Sequence, residues 1–196
     1  MILESDQFTL LKNFLETNPV LSPYKYALYI KRESTRTQTL ITNYHETWIT
    51  NYIEKSYFEW DYPIIAERLG EVIEWGVHNF TSDLTVAQKK IFLEATDYNL
   101  LNGISIQQAH ADAKVIFTLS SSYPFENLQG HPYYENIPFI ISRIFPLIHR
   151  IIRGKDLDHV QALIETYMKN DTRDLNLSLS ANKNLMRSDS QVYLIE

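Results

Sequence analysis

Two pairs of short segments rich in β-branched and aromatic residues, each pair joined by a polar turn, limit most strongly what this chain can fold into. Residues 26–31 and 37–42 flank the turn 32–36, and residues 103–109 and 114–121 flank the turn 110–113. Turns this short bring the chain back antiparallel, because parallel neighbours need a crossover of a dozen residues or more. Residues 72–77 read either as a fifth strand or as an irregular wall.

Helical spacing fills the gaps between the strands. Phe8, Leu11 and Leu15 mark an amphipathic helix over residues 4–17, which Pro19 and Pro23 end. A second helix is expected over about residues 44–56. A third starts at Thr85, whose partner Gln88 three residues on has the form of a capping box, and Asn102-Gly103 stops it. Residues 137–153 form a long apolar helical stretch that Pro146 either kinks or splits, and residues 156–169 give a short amphipathic helix. Residues 61–70, with Pro63 near the start and Gly70 near the end, stay ambiguous. Helices interleaved with hairpins predict an α+β fold, an α/β/α sandwich with a mostly antiparallel central sheet of about five strands.

Composition removes several function classes. The chain has 196 residues, 44% of them hydrophobic, enough for one core. Its 18 basic residues are outnumbered by 24 acidic ones, a balance opposed to gripping phosphate backbones, so no direct nucleic-acid partner is expected. No cysteine is present, which removes disulfides and thiolate chemistry. The N-terminus lacks the basic start and apolar run of a signal peptide, and the apolar stretch 137–152 is broken by Pro138, Arg143, Pro146, His149 and Arg150. A cytoplasmic protein without a membrane partner is expected. No glycine-rich turn follows a strand, so a dinucleotide or P-loop site has no basis.

Tyr44, Trp48 and Tyr52 recur at four-residue spacing and so share one helix face. Each has a flat apolar body and one polar tip, as do many of the chain's 13 tyrosines and three tryptophans. Asp61 follows nine residues later inside the aromatic run Tyr57-Phe58-Glu59-Trp60-Asp61-Tyr62. A carboxylate there must reach solvent or find a donor, since burying an unpaired charge is costly. Two readings stay open from the residues alone: an aromatic core with a turn aspartate, or a ligand pocket whose acceptor is Asp61.

The stretch Asn43-Tyr44-His45-Glu46-Thr47-Trp48-Ile49-Thr50-Asn51-Tyr52, followed by Glu54-Lys55-Ser56-Tyr57-Phe58 and Asp61, resembles the signature of the autoinducer-binding domain of LuxR-type acyl-homoserine-lactone receptors. Trp75 stands near the place of the family's next tryptophan, and residues 103–119 resemble its last two strands. The likeness covers roughly residues 5–165 and is strongest over 41–61. It implies an acyl-homoserine lactone as ligand, held between the sheet and a helical layer, with no other cofactor and no metal. By matching position, Trp48 would donate to the lactone carbonyl and Asp61 would accept the amide N–H. Tyr44, with Thr118, would bond the acyl carbonyl, while Tyr52 and Trp75 would pack around the lactone ring. Two departures are visible: Tyr62 stands between Asp61 and Pro63, where the family usually has a proline, and the later spacings are about one residue short.

Residues 156–196 show no helix-turn-helix pattern. The expected organisation is therefore a sensor domain over residues 1–170 and a tail over 171–196, whose alternating leucines and final Val192-Tyr193-Leu194-Ile195 read as an edge strand or a disordered end. The resemblance implies a quorum-sensing signal module that acts through a partner, as a homodimer or by pairing with a full-length LuxR-type receptor, or as a truncated transcriptional regulator. The alternatives are an interaction module without ligand and a signal-degrading hydrolase. The apolar stretch 137–152 serves either burial or a subunit interface. For an enzyme or a metal site the sequence offers little: His110-x-Asp112 lacks further ligands, and Ser120-Ser121-Ser122 lacks the flanking glycines of a nucleophile elbow.

Overall fold

A computed structural model describes residues 4–21, 24–32, 34, 38–66, 68–76, 84–110, 113–122, 138–179 and 191–195. The chain divides into two compact units. Tyr24–Asn127 with Gln191–Glu196 forms the sheet-bearing unit, and Met1–Pro23 with Leu128–Ser190 forms a helical one.

The sheet has the order β3-β4-β5-β1-β2-β6, with every neighbouring pair antiparallel. Its strands are β1 (Lys25–Arg32), β2 (Gln38–Thr42), β3 (Val72–Gly76), β4 (Asn102–His110), β5 (Ala113–Ser121) and β6 (Gln191–Ile195). Both hairpins and the fifth strand are where the sequence puts them, and the C-terminal residues add a sixth at the edge beside β2. The alternation is muted because the central strands are buried on both faces. Leu28, opposite Ile41 and Phe117, lies on one face, and Tyr29, opposite Leu40 and Ile116, on the other; all six are at most 5% exposed.

Helices α2 (Glu46–Glu54) and α4 (Val86–Thr96) pack on the Tyr29 face. Trp48, Ile49 and Tyr52 from α2, with Ile91 and Ala95 from α4, join Tyr29, Leu40 and Ile116 in one cluster. Each large side chain buried there contributes about 2 kcal/mol. The start of α4 is the expected capping box: Gln88 N–H donates to the Thr85 hydroxyl at 3.3 Å, and Thr85 N–H to the Gln88 side chain at 2.7 Å. Between α2 and β3 a tight turn (Tyr57–Glu59) and a four-residue helix, α3 (Tyr62–Ile65), resolve the ambiguous segment.

In the helical unit, α1 (Ser5–Thr17) packs with α5 (Phe145–Arg153) and α6 (Leu157–Leu179). A π-helical turn over Ile140–Ile144 runs into α5, and Pro146 sits in the first turn of α5, where its missing N–H costs no hydrogen bond. Of the stretch that sequence left between core and interface, Ile140, Ile144, Phe145, Ile148, Ile151 and Ile152 are buried within the chain. Gln7 caps the far end of α5, donating through Nε2 to the carbonyls of Ile151 and Ile152 at 3.0 and 2.9 Å. Gly154 ends α5 at φ +66°, and a Cβ there would meet Gln7 Nε2 at 2.5 Å, so only glycine satisfies both the turn and the cap. Helix α6 is longer than expected: it passes residue 170 and takes in the Leu175-x-Leu177-x-Leu179 alternation. No helix among the described residues is long and apolar enough to cross a membrane.

Candidate functional site

The site begins at the corner between β2 and α2. Asn43 accepts the Tyr26 N–H at 2.7 Å and donates to the Tyr24 carbonyl at 3.1 Å, while Thr42 Oγ1 donates to the Tyr26 carbonyl at 2.6 Å and accepts the Tyr44 N–H at 3.0 Å. These bonds fix where α2 starts, with His45 as its N-cap. Tyr44 precedes the helix proper, yet Tyr44, Trp48 and Tyr52 are all buried on the side facing the sheet. His45 and Glu46 face solvent.

All six residues singled out from sequence, Tyr44, Trp48, Tyr52, Asp61, Trp75 and Thr118, line one cavity of about 60 Å³ inside the sheet-bearing unit. It has room for a few water molecules. Its remaining wall is mostly aliphatic and aromatic, with Leu40, Ile91 and Ile116 among the contributors. Among the described residues Asp61 is its one carboxylate, and neither Lys, Arg nor His lines it.

Asp61 stands at the N-cap of α3, a place where an aspartate ordinarily folds back onto backbone N–H groups. Its side chain makes no such bond. Instead Tyr52 donates its phenolic proton to Asp61 Oδ2 at 2.6 Å. Burial pushes the Asp61 carboxyl up from the ordinary 3.8 to about 6, against the opposing pull of the Tyr52 hydrogen bond. Burial, with the charge of Asp61 beside it, likewise raises the Tyr44 and Tyr52 phenols, so both remain neutral donors. Pro63 takes the first turn of α3, which accommodates the displaced proline, and Tyr62 packs against the Trp75, Leu84 and Phe92 cluster.

Trp48 meets Tyr52 edge-on at 5.7 Å and lies tilted over Tyr98 at 5.4 Å. No hydrogen bond from its indole N–H to protein is present among the described residues. Trp75 is placed by β3, opposite Gly103 of β4, and stacks on Phe92 at 5.7 Å with 10° between the rings. The sequence reading has Gly103 as a helix stop; its place in β4 shows a further role. A Cβ there would sit 2.2 Å from the Leu119 carbonyl and 2.5 Å from the Trp75 ring, so the indole lies where only glycine leaves space.

Four polar residues at or behind the cavity wall, Ser105, Ser120, Tyr29 and Gln38, escaped sequence reasoning. Trp75 Nε1 donates to Ser105 Oγ at 3.1 Å, and Ser105 Oγ is 2.8 Å from Thr118 Oγ1. Tyr44 bonds Ser120 through their hydroxyls, and Tyr29 donates to Gln38. Ser120 follows Thr118 by two residues and so shares its strand face, a signal present in the sequence. Ser105 becomes visible only once β4 and β5 are put in register.

The autoinducer-binding-domain family model matches residues 14–129, more than half of the chain. This chain belongs to that family. It carries a quorum-sensing signal-binding module, a receptor domain by class. Among solved structures it is similar to the N-acylhomoserine lactone dependent LuxR family transcription factor CepR2 from Burkholderia cenocepacia, at 15% identity and a TM-score of 0.45, covering 65% of this chain and 87% of that one. SdiA in complex with octanoyl-rac-glycerol matches at 18% identity and a TM-score of 0.44, over 60% of this chain and 53% of that one. Escherichia coli SdiA matches at 15% identity and a TM-score of 0.43, over 84% and 67%. The chain thus spans about half of SdiA as seen in the octanoyl-rac-glycerol complex. No curated protein matches. Among the described residues of this autoinducer-binding domain, no group of three or more His, Cys, Asp or Glu stands ready to hold a metal; Asp112 of the His110-x-Asp112 pair lies outside those residues.

Proposed function

We propose that this autoinducer-binding domain is a cytoplasmic sensor that holds an acyl-homoserine lactone, or a closely related neutral amide, in the cavity beneath α2. The observation that carries this reading is the convergence of six residues on one apolar cavity whose single carboxylate, among the described residues, is Asp61. Asp61 accepts the ligand's amide N–H, Trp48 donates to the lactone carbonyl, and Tyr44 with Thr118 bonds the acyl carbonyl. Tyr52 orients Asp61 and walls the lactone with Trp75. The fit is chemical: a small amide offers one donor and two acceptors on an apolar body, and the cavity offers the complement. Output passes through a protein partner, either a second copy or a full-length LuxR-type receptor.

One observation favours a second reading, an interaction module that binds no signal. The cavity is small, so seating an acyl chain requires aromatic side chains to move. A thermal-shift screen against acyl-homoserine lactones of graded chain length separates the two. Because ligand that binds only the folded state raises the melting temperature, the sensor reading predicts a shift for one chain-length class. No shift with any member, in protein shown free of carried-over ligand, favours the interaction module.

A further inference from the structure

Trp75 and Thr118 enter the proposed function as separate contacts, yet one buried hydroxyl ties them together. Ser105 is 0% exposed in the middle of β4, directly opposite Thr118 of β5. Among the described residues its side chain has two hydrogen-bond partners, the Trp75 indole and the Thr118 hydroxyl. The indole N–H is only a donor, so Ser105 accepts from Trp75. Two arrangements remain for the second bond. If Thr118 donated to Ser105, the serine would accept twice and its own proton would be left unpaired in a buried site, which is unfavourable. If Ser105 donates to Thr118, the proton of the fully buried serine is paired, and the proton left over is that of the half-buried Thr118 hydroxyl, which lines the cavity where a ligand can accept it.

We propose that Ser105 is a positioning residue that relays the Trp75 indole N–H into Thr118 and thereby fixes the Thr118 hydroxyl as a donor toward the cavity. A ligand must then present an acceptor to Thr118, and a group there that only donates is disfavoured. Trp75 sets this polarity from one residue further back, held on Phe92 in the slot that Gly103 leaves open. The inference rests on the sensor reading above, with Thr118 at the acyl carbonyl.

The test compares N-octanoyl-homoserine lactone with its thioamide, which keeps the N–H but replaces the carbonyl oxygen with a weak acceptor. Dissociation constants are measured for wild type, Ser105→Ala, Thr118→Val and the double variant. The expected wild-type preference for the oxygen ligand is about tenfold. Ser105→Ala should reduce it to the level of Thr118→Val, and the double variant should be no worse than Thr118→Val alone. An unchanged preference in Ser105→Ala, or additive losses in the double variant, overturns the relay while leaving the sensor reading intact. Failure of wild type to bind either ligand, or the matching pair at any other acyl-chain length, overturns the sensor reading and the relay with it. Should Ser105→Ala not fold, Trp75→Phe keeps an aromatic ring against Phe92 and removes the N–H together with part of the indole's volume. Its preference should also fall, and retention of the full wild-type preference overturns the proposal. A ligand-free readout is the Trp75 indole proton resonance: Thr118→Val should move it through Ser105, and an unmoved resonance contradicts the relay.

Discussion

Tyr52 donates its phenolic proton to Asp61 across 2.6 Å, so the cavity's carboxylate is aimed from α2 although it stands on a different element. The bond does two things. It gives Asp61 a donor in place of bulk water, and it leaves the second carboxylate oxygen for a ligand.

The first prediction concerns pH. The folded-state value of Asp61 is raised to about 6 from 3.8, so its contribution to stability is fully present below 3.8 and is lost as pH rises through about 6. A ligand amide that donates to the carboxylate favours the charged form, so binding releases a proton at acid pH. Affinity for a neutral acyl lactone should therefore rise by up to about tenfold between roughly pH 5 and 7. Asp61→Asn should flatten both profiles. Calorimetric titrations across that range, alongside melting temperatures of the free protein, check the pair. A pH-independent wild-type affinity contradicts the assignment of Asp61 as acceptor.

The second prediction concerns Gly103. The would-be Cβ contacts of 2.2 and 2.5 Å lie against the Leu119 carbonyl and the Trp75 ring, and neither moves without disturbing β5 or the stack on Phe92. Gly103→Ala should cost about 1–3 kcal/mol of stability. Urea unfolding measures the loss, and altered tryptophan fluorescence in the folded variant reports the displaced indole. Wild-type stability would show that the strands part more readily than this packing allows.

The third prediction concerns ligand charge. With Asp61 inside and no Lys, Arg or His among the described lining residues, a carboxylate ligand meets like charge and no compensation from them. The ring-opened form of any lactone that binds should be weaker by at least about tenfold at neutral pH. Competition between the two forms, with hydrolysis followed by mass, reads this directly. Equal affinity contradicts the cavity as the binding site.

Much of this was legible in the sequence because the decisive signals were local. The four-residue spacing of Trp48 and Tyr52 places them on one face of α2 whatever surrounds the helix, Tyr44 joins them from just before the N-cap through its bond to Thr42, and the Thr85–Gln88 capping box works within four residues. The two polar turns fixed the hairpins. Ser105 was missed because its role depends on register, a non-local property: counting back from the turn between His110 and Ala113 sets it opposite Thr118. Asp61 was ambiguous for a related reason. An aspartate at a helix start and one accepting from a tyrosine look alike until the path of Tyr57–Glu59 is known. Of the tail, read as an edge strand or a disordered end, Gln191–Ile195 forms the edge strand, whereas the leucine alternation at 175–179 lies in α6, because period two over five residues does not outweigh a helix already running from Leu157.

The most direct test of the central claim is a calorimetric comparison of wild type with Trp48→Phe, using the acyl lactone that gives the largest thermal shift. Phenylalanine keeps an aromatic wall against Tyr52 and Tyr98 and removes the one donor assigned to the lactone carbonyl. The account predicts that the dissociation constant rises about tenfold while the fold's stability changes little. A Trp48→Phe variant that binds as tightly as wild type would contradict it.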